Sequence, residues 1–354
     1  MRYLLSLSFR ILLLFTLLAQ FQCMPTSSDA PRAKAQATGV GKDARPAYAM
    51  VIHGGAGTIL RSSITDEQEA AIKSVLNEAL SKGKTLLEAG TSAVEVVEQV
   101  IMVLEDAPYF NAGKGAVFTN SGINELDASI MEGQNRMAGA VGGVSNIKNP
   151  IRAARAVMEK SPHVLLVGEG AEAFAMAEGI DTVDAKYFYT EDRWEALERV
   201  KAREADQGFV DPAKEMEKYG TVGAVVLDKE GNLAAGTSTG GMTNKRFNRL
   251  GDSPIIGAGT YANNATCAIS CTGHGEFFIR YAVAYDVSAL MEYGGLGLEA
   301  AADSIIHQKL KSVGGSGGLI GVDKMGNICM PFNTPGMYRG YVLPDQQEVK
   351  IFED

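Results

Sequence analysis

A chain of 354 residues with a net charge of −9 can bury a large core, and it is a poor partner for nucleic acid, whose phosphates call for clustered Lys and Arg. Its composition, 46% hydrophobic and 21% charged, is ordinary for a globular protein, and length alone allows one to three domains. Forty glycines are many, and pairs such as Gly54-Gly55, Gly142-Gly143 and Gly240-Gly241 suit positive-φ turns and close backbone approach to ligands.

Arg2 and Arg10 flank or interrupt an apolar run over residues 4–21. A short apolar core behind a basic start reads as a secretory signal (residues 1–22) rather than a spanning helix. Cys23 follows, a lipid attachment point in a bacterial setting, although Gln20-Phe21-Gln22 lacks the small residues expected before such a cysteine. The expected location is the periplasm, after export across the inner membrane; a lipid anchor at Cys23 is the alternative. Residues 23–46, rich in Pro, Ala, Ser and Lys, read as a tether.

The folded part begins with a buried strand over residues 48–53, ended by Gly54-Gly55-Ala56-Gly57. Asp66 then precedes apolar residues at helical spacing, from Ala70 to Leu80. A second helix is expected over residues 86–104, opened by a capping box of Thr85 and Glu88. A glycine-rich segment with short apolar runs (111–143), a helix near 151–158 and a strand over 161–167 follow. Residues 190–220 are dense in charge and read as a solvated helix and a surface linker, where a chain can be cut without exposing core.

At Gly220-Thr221 the texture changes to β. Residues 225–233 are two apolar runs around a polar, glycine-bearing turn, and residues 320–328 repeat that arrangement. Between them lie strand-like 255–262 and 267–271, then helix-like 277–291 and 298–311. Strands, helices, then strands suggest sheets with helices packed outside, and a four-layer αββα sandwich fits that order. Cys267, Cys271 and Cys329 read as buried thiols, and no Cys/His set suggests zinc.

Thr221 is the first candidate for chemistry. Threonine is a weak nucleophile unless a base adjoins it, and a free N-terminal amine is such a base. Cutting the Gly220–Thr221 bond would place hydroxyl and amine on one residue. The proposed hairpin would bring Thr239, within Gly236-Thr237-Ser238-Thr239-Gly240-Gly241, back toward Thr221. Arg249-Leu250-Gly251-Asp252 sets a guanidinium near a carboxylate; the first suits a substrate carboxylate and the second an ammonium, although a surface ion pair is the plain alternative. Cys271-Thr272-Gly273-His274-Gly275 ends a strand in a turn where a backbone N–H and a hydroxyl can hold an oxyanion. Gly54-Gly55-Ala56-Gly57 lacks the GK[ST] ending of a phosphate loop. His53 reads as a structural hydrogen-bonder.

These motifs, with Thr237–Lys245, Arg249–Pro254, Tyr261-Ala262-Asn263-Asn264-Ala265, His53–Gly57 and Phe110–Gly115, resemble the plant-type isoaspartyl peptidase/L-asparaginases, N-terminal nucleophile hydrolases, over residues 48–342. The resemblance implies an αββα precursor that cleaves itself before Thr221 into an α subunit (47–220) and a β subunit (221–354), paired as a dimer of heterodimers. It implies hydrolysis of β-aspartyl dipeptides and L-asparagine to release aspartate, with no cofactor for catalysis. Thr221 is then the nucleophile, Thr239 its assistant, and Thr272 with Gly273 the oxyanion hole. Arg249, Leu250, Gly251, Asp252, Thr272, Gly273, His274 and Gly275 surround the substrate. A sodium ion is implied at the backbone of Leu104, Glu105, Ala107, Phe110, Ala112 and Lys114. Tyr219 departs from the histidine or aspartate frequent in the family at that position. Glycosylasparaginase is the alternative, although that group commonly has Asn where Gly241 stands.

Overall fold

The computed structural model describes residues 45–207 and 220–353. The secretory signal, Cys23, the tether to residue 44 and the linker 208–219 with Tyr219 lie outside the described residues. Twelve strands are described: β1 (Ala49–Gly57), β2 (Leu126–Glu132), β3 (Ala138–Val144), β4 (Leu165–Val167), β5 (Val222–Leu227), β6 (Leu233–Thr239), β7 (Thr260–Ala262), β8 (Cys267–Gly273), β9 (Gly317–Asp323), β10 (Ile328–Cys329), β11 (Gly336–Leu343) and β12 (Gln346–Phe352). They form an eight-stranded sheet, β12-β11-β1-β5-β6-β2-β3-β4, and a four-stranded sheet, β10-β9-β8-β7.

Side-chain alternation shows how the layers stack. On β1, Met50 and Ile52 enter one core while Ala49 and Val51 enter the other; on β5, Val222, Ala224 and Val226 oppose Val225 and Leu227 in the same way. The first core lies under helices α1 (Asp66–Glu88), α2 (Ala93–Glu105) and α3 (Pro150–Lys160). The second core joins the two sheets to each other and to helices further down the chain. After α4 (Gly168–Ala177) and the predicted charged helix α5 (Glu191–Gln207) come α6 (Gly275–Tyr281), α7 (Val283–Glu292) and α8 (Leu298–Asp303). Helices α7 and α8 pack on β8 and β9, completing the αββα order expected from the sequence. Cys267, Cys271 and Cys329 are buried free thiols, as read.

The two expected hairpin turns are alike in detail. Gly231 (φ 92°) and Gly326 (φ 80°) donate to Asp228 O and Asp323 O, and each Asp Oδ1 accepts from the Asn four residues on. Arg45 already touches the first turn, donating to Asp228 O at 3.1 Å.

Several boundaries differ from expectation. The helix read over 86–104 is the end of one helix and the whole of another, because Gly90 at φ 81° stops α1. Thr85 is therefore no cap: its hydroxyl donates to Ser81 O in the last turn of α1. The true capping box is Thr65 with Gln68, at 3.2 and 3.1 Å. Only Thr260–Ala262 of the strand read over 255–262 is extended, since residues 252–259 fold into turns on Asp252 O and Ile255 O. The helix read over 277–291 breaks at Ala282, which sits at φ 47°.

Candidate active site

Antiparallel pairing of β5 with β6 sets Val222 against Ser238 and so brings Thr221 beside Thr239. The Thr221 hydroxyl donates to Thr239 Oγ1 at 3.1 Å, and that oxygen also accepts from Gly241 N at 3.0 Å. Both threonines are buried. Gly241 stands at φ 78°, which a side chain would strain. Asn111, from the loop after α2, fixes this turn: its amide donates to Gly241 O at 2.7 Å, while its backbone carbonyl accepts from Gly240 N.

Gly220, Thr221, Thr239, Gly241, Met242, Arg249, Gly251, Asp252, Ser253 and Gly273 line a single cavity of about 20 Å³, room for one water. The structure thus gathers the predicted nucleophile, its assistant, the scissile glycine and the Arg/Asp pair. Leu250 is outside this wall and lies against Gly142, at 3.0 Å from where a Cβ would stand there.

Arg249 is not an exposed surface charge. Its Nε and Nη2 each donate at 2.9 Å to the two carboxylate oxygens of Glu276, the bidentate geometry that fixes a guanidinium plane. His274 Nε2 meets the same Oε2 at 3.1 Å. Burial pushes the Glu276 carboxyl up, but the His274 and Arg249 hydrogen bonds outweigh it and hold the group well below the usual carboxylate range. Asp252 is the opposite case: burial pushes it up to about 7 despite the nearby Arg249 charge, and its Oδ2 has no hydrogen-bond partner among the described residues. A buried, unpartnered carboxylate oxygen on a cavity wall beside a fixed guanidinium suits a zwitterion carrying both ammonium and carboxylate.

Glycines make this packing feasible. A Cβ on Gly275 would stand 2.8 Å from Arg249 Nη2 and 3.0 Å from Asp252 Oδ1. One on Gly273 would fall 2.5 Å from Ser316 O. Thr272 is buried, and its Oγ1 accepts from Ala56 N at 3.2 Å, which leaves its own proton to give.

The loop of Leu104, Glu105, Ala107, Phe110, Ala112 and Lys114 runs from the end of α2 into a turn at Gly113–Gly115. The Glu105 carbonyl crowds the position where Gly113 would carry a Cβ, and the Phe110 carbonyl crowds that of Gly115. Among the described residues, no group of three or more His, Cys, Asp or Glu can hold a metal.

Three residues that hold the site together were not assigned to it from the sequence: Glu276, Asn111 and His53 in its particular role. His53, read as a structural hydrogen-bonder, bonds the Thr221 carbonyl through Nδ1 at 2.9 Å. Asn111 stands inside Phe110-Asn111-Ala112-Gly113, a motif legible in sequence. Nothing local marks Glu276.

The profile of a family described as Asparaginase matches residues 46–351. The chain is 54% identical to the isoaspartyl peptidase of Salmonella typhimurium and 52% to that of Escherichia coli, in each case over 82% of this chain and 94% and 92% of those proteins. It is 41% identical to the isoaspartyl peptidase/L-asparaginase of Xenopus laevis, over 86% of this chain and 94% of that protein.

Proposed function

The chain belongs to the asparaginase family of N-terminal nucleophile hydrolases, and from this membership and the site geometry we propose that it is a self-processing threonine amidohydrolase releasing L-aspartate from isoaspartyl dipeptides and L-asparagine. One observation carries the reading: the Thr221 hydroxyl, 3.1 Å from Thr239, shares a cavity with Arg249 and the Asp252 carboxylate, whose Oδ2 has no partner among the described residues.

Processing comes first. Thr221 Oγ attacks the Gly220 carbonyl, its proton passes to the Thr221 nitrogen as the peptide bond breaks, and water hydrolyses the resulting ester. Two subunits, 47–220 and 221–354, then remain associated, with a free amine on Thr221. A cavity of about 20 Å³ is too small for an amino acid while Gly220 occupies its wall, and release of Gly220 enlarges it.

In turnover the amine takes the Thr221 Oγ proton and Oγ attacks the substrate's side-chain carbonyl. Gly273 N–H and the Thr272 hydroxyl receive the oxyanion. Thr239 orients Oγ, and Arg249 and Asp252 grip the α-carboxylate and α-ammonium. Ammonia or an amino acid leaves with the proton, and water releases aspartate. A sodium ion on the carbonyls of Leu104, Glu105, Ala107, Phe110, Ala112 and Lys114 would brace the loop that carries Asn111 and supplies no step of the reaction. Assembly as a dimer of heterodimers and export to the periplasm, free or anchored at Cys23, belong to the same reading.

Glycosylated asparagine is not favoured as substrate, because the relatives are isoaspartyl peptidases and Gly241 offers no side chain at the position where Asn is common in glycosylasparaginases. Replacement Thr221→Ala tests the proposal. Denaturing electrophoresis should show one undivided chain that releases no aspartate; a variant that still divides and hydrolyses asparagine refutes it.

A further inference from the structure

His53, Ser270, Thr237, Thr260 and Ser129 are all fully buried between the two sheets, on β1, β8, β6, β7 and β2, and each bonds the next. His53 Nε2 meets Ser270 Oγ at 3.0 Å, Ser270 Oγ meets Thr237 Oγ1 at 2.7 Å, Thr260 meets Thr237 at 2.6 Å, and Ser129 meets Thr260 at 2.8 Å. The far end of this chain is the Thr221 carbonyl, 2.9 Å from His53 Nδ1.

The direction of the protons nearest that end follows from it. A carbonyl only accepts, so Nδ1 carries hydrogen. Burial pushes the imidazole down to about 3, against the raising effect of its bond to Thr221, so the ring is neutral and Nε2 accepts. Ser270 must donate to Nε2, which leaves its oxygen to accept from Thr237, whose hydroxyl also has Gly259 O at 3.2 Å; Thr237 in turn accepts from Thr260, and at the other end Ser129 also bonds Ser253 O at 2.6 Å. Successive bonds aligned this way polarise one another. The packing also reserves the space: a Cβ on Gly223 would collide with both Ser270 Oγ and His53 Nε2.

We propose that His53 is a positioning residue for the nucleophile: locked by this hydroxyl chain in its Nδ1-protonated form, it holds the Thr221 carbonyl and so sets the direction of the Thr221 hydroxyl and amine. Four buried hydroxyls fill the space between the sheets; Thr237 and Ser129 also bond the carbonyls of Gly259 and Ser253, and through Ser270 and His53 the chain reaches the carbonyl whose place decides where Oγ stands. The need is greatest after cleavage, when Thr221 no longer has a residue before it. The inference rests on Thr221 being the nucleophile, but the proton positions can be read without any substrate.

Nitrogen NMR of the histidine-labelled protein should show His53 protonated at Nδ1 with Nε2 bare; the reverse overturns the proposal whatever the enzyme's activity. His53→Asn keeps a donor near the Nδ1 position, and His53→Gln reaches only toward Ser270. His53→Asn should retain self-cleavage and kcat within about threefold, while His53→Gln loses about 10²-fold in kcat at unchanged KM, the scale of an ~1 Å misplacement. Equal losses in both variants, with KM and kcat falling together, mean that the chain only stabilises the fold. Ser270→Ala, which changes little volume, covers the case where His53 variants misfold: it should mix the two His53 tautomers and lower kcat. Unchanged kcat there with mixed tautomers also overturns the proposal.

Discussion

On the proposed reading, Asp252 makes the substrate clamp a titrating device near neutral pH. Its carboxyl is raised because burial removes water from the charged form, and the Arg249 guanidinium offsets only part of that cost, leaving a value of about 7. The sign follows: the ionised carboxylate that receives the α-ammonium is present above about pH 7 and is lost as pH falls through it. With that value about 90% of the groups are ionised at pH 8 and about 1% at pH 5, so KM for L-asparagine should rise close to 10²-fold between them. The Thr221 amine that the proposed cleavage would free, ordinarily near pKa 7.7–8.0, would also protonate on this limb, but it would act on the bound complex and lower kcat. Initial-rate aspartate release from pH 5 to pH 8, fitted separately for KM and kcat, distinguishes the two. His274 lies close enough to influence Asp252, so Asp252→Asn serves as the control: its KM should be high and flat across the same range. A wild-type KM that stays flat from pH 5 to pH 8 refutes the claim that an ionising Asp252 takes the ammonium.

Gly275→Ala should raise KM at least tenfold, about 1.4 kcal/mol, with kcat little changed, because its Cβ would stand 2.8 Å from Arg249 and 3.0 Å from Asp252; equal effects on KM and kcat argue against a clamp role. Thr65→Ala removes the capping box of α1 and should cost about 1 kcal/mol, a fall of roughly 2–4 °C in Tm by calorimetry.

The pairing of Thr221 with Thr239 was legible because a hairpin is a local object: a glycine-bearing polar turn between apolar runs fixes which residues face each other, and the register bears that pairing out. Arg249 and Asp252 were legible as residue types, three positions apart with opposite charge. Layer count was harder to read, because β1 and β5 bury both faces and so look like continuous apolar runs. Strand β3 was hidden for a related reason. Ala138-Gly139-Ala140-Val141-Gly142-Gly143-Val144 has little β propensity, yet a Cβ on Gly139 would strike the backbone of α3, so close helix packing selects small residues there.

What stayed illegible shares one cause, distance along the chain. Glu276 orients Arg249 from 27 residues away and His53 reaches Thr221 from 168 away, so neither pairing leaves a local spacing to read. The clamp shows why such partners are required. The Arg249 side chain is about four-fifths buried, and an unpaired guanidinium there would be costly; Glu276 neutralises it and fixes its plane while Asp252 Oδ2 has no partner among the described residues. The two carboxylates thus divide the work by environment. Half-exposed Glu276 has its hydrogen bonds already made and stays charged to hold the arginine, whereas the Oδ2 of buried Asp252 lacks a partner among the described residues and, on the proposed reading, is left for the substrate to complete.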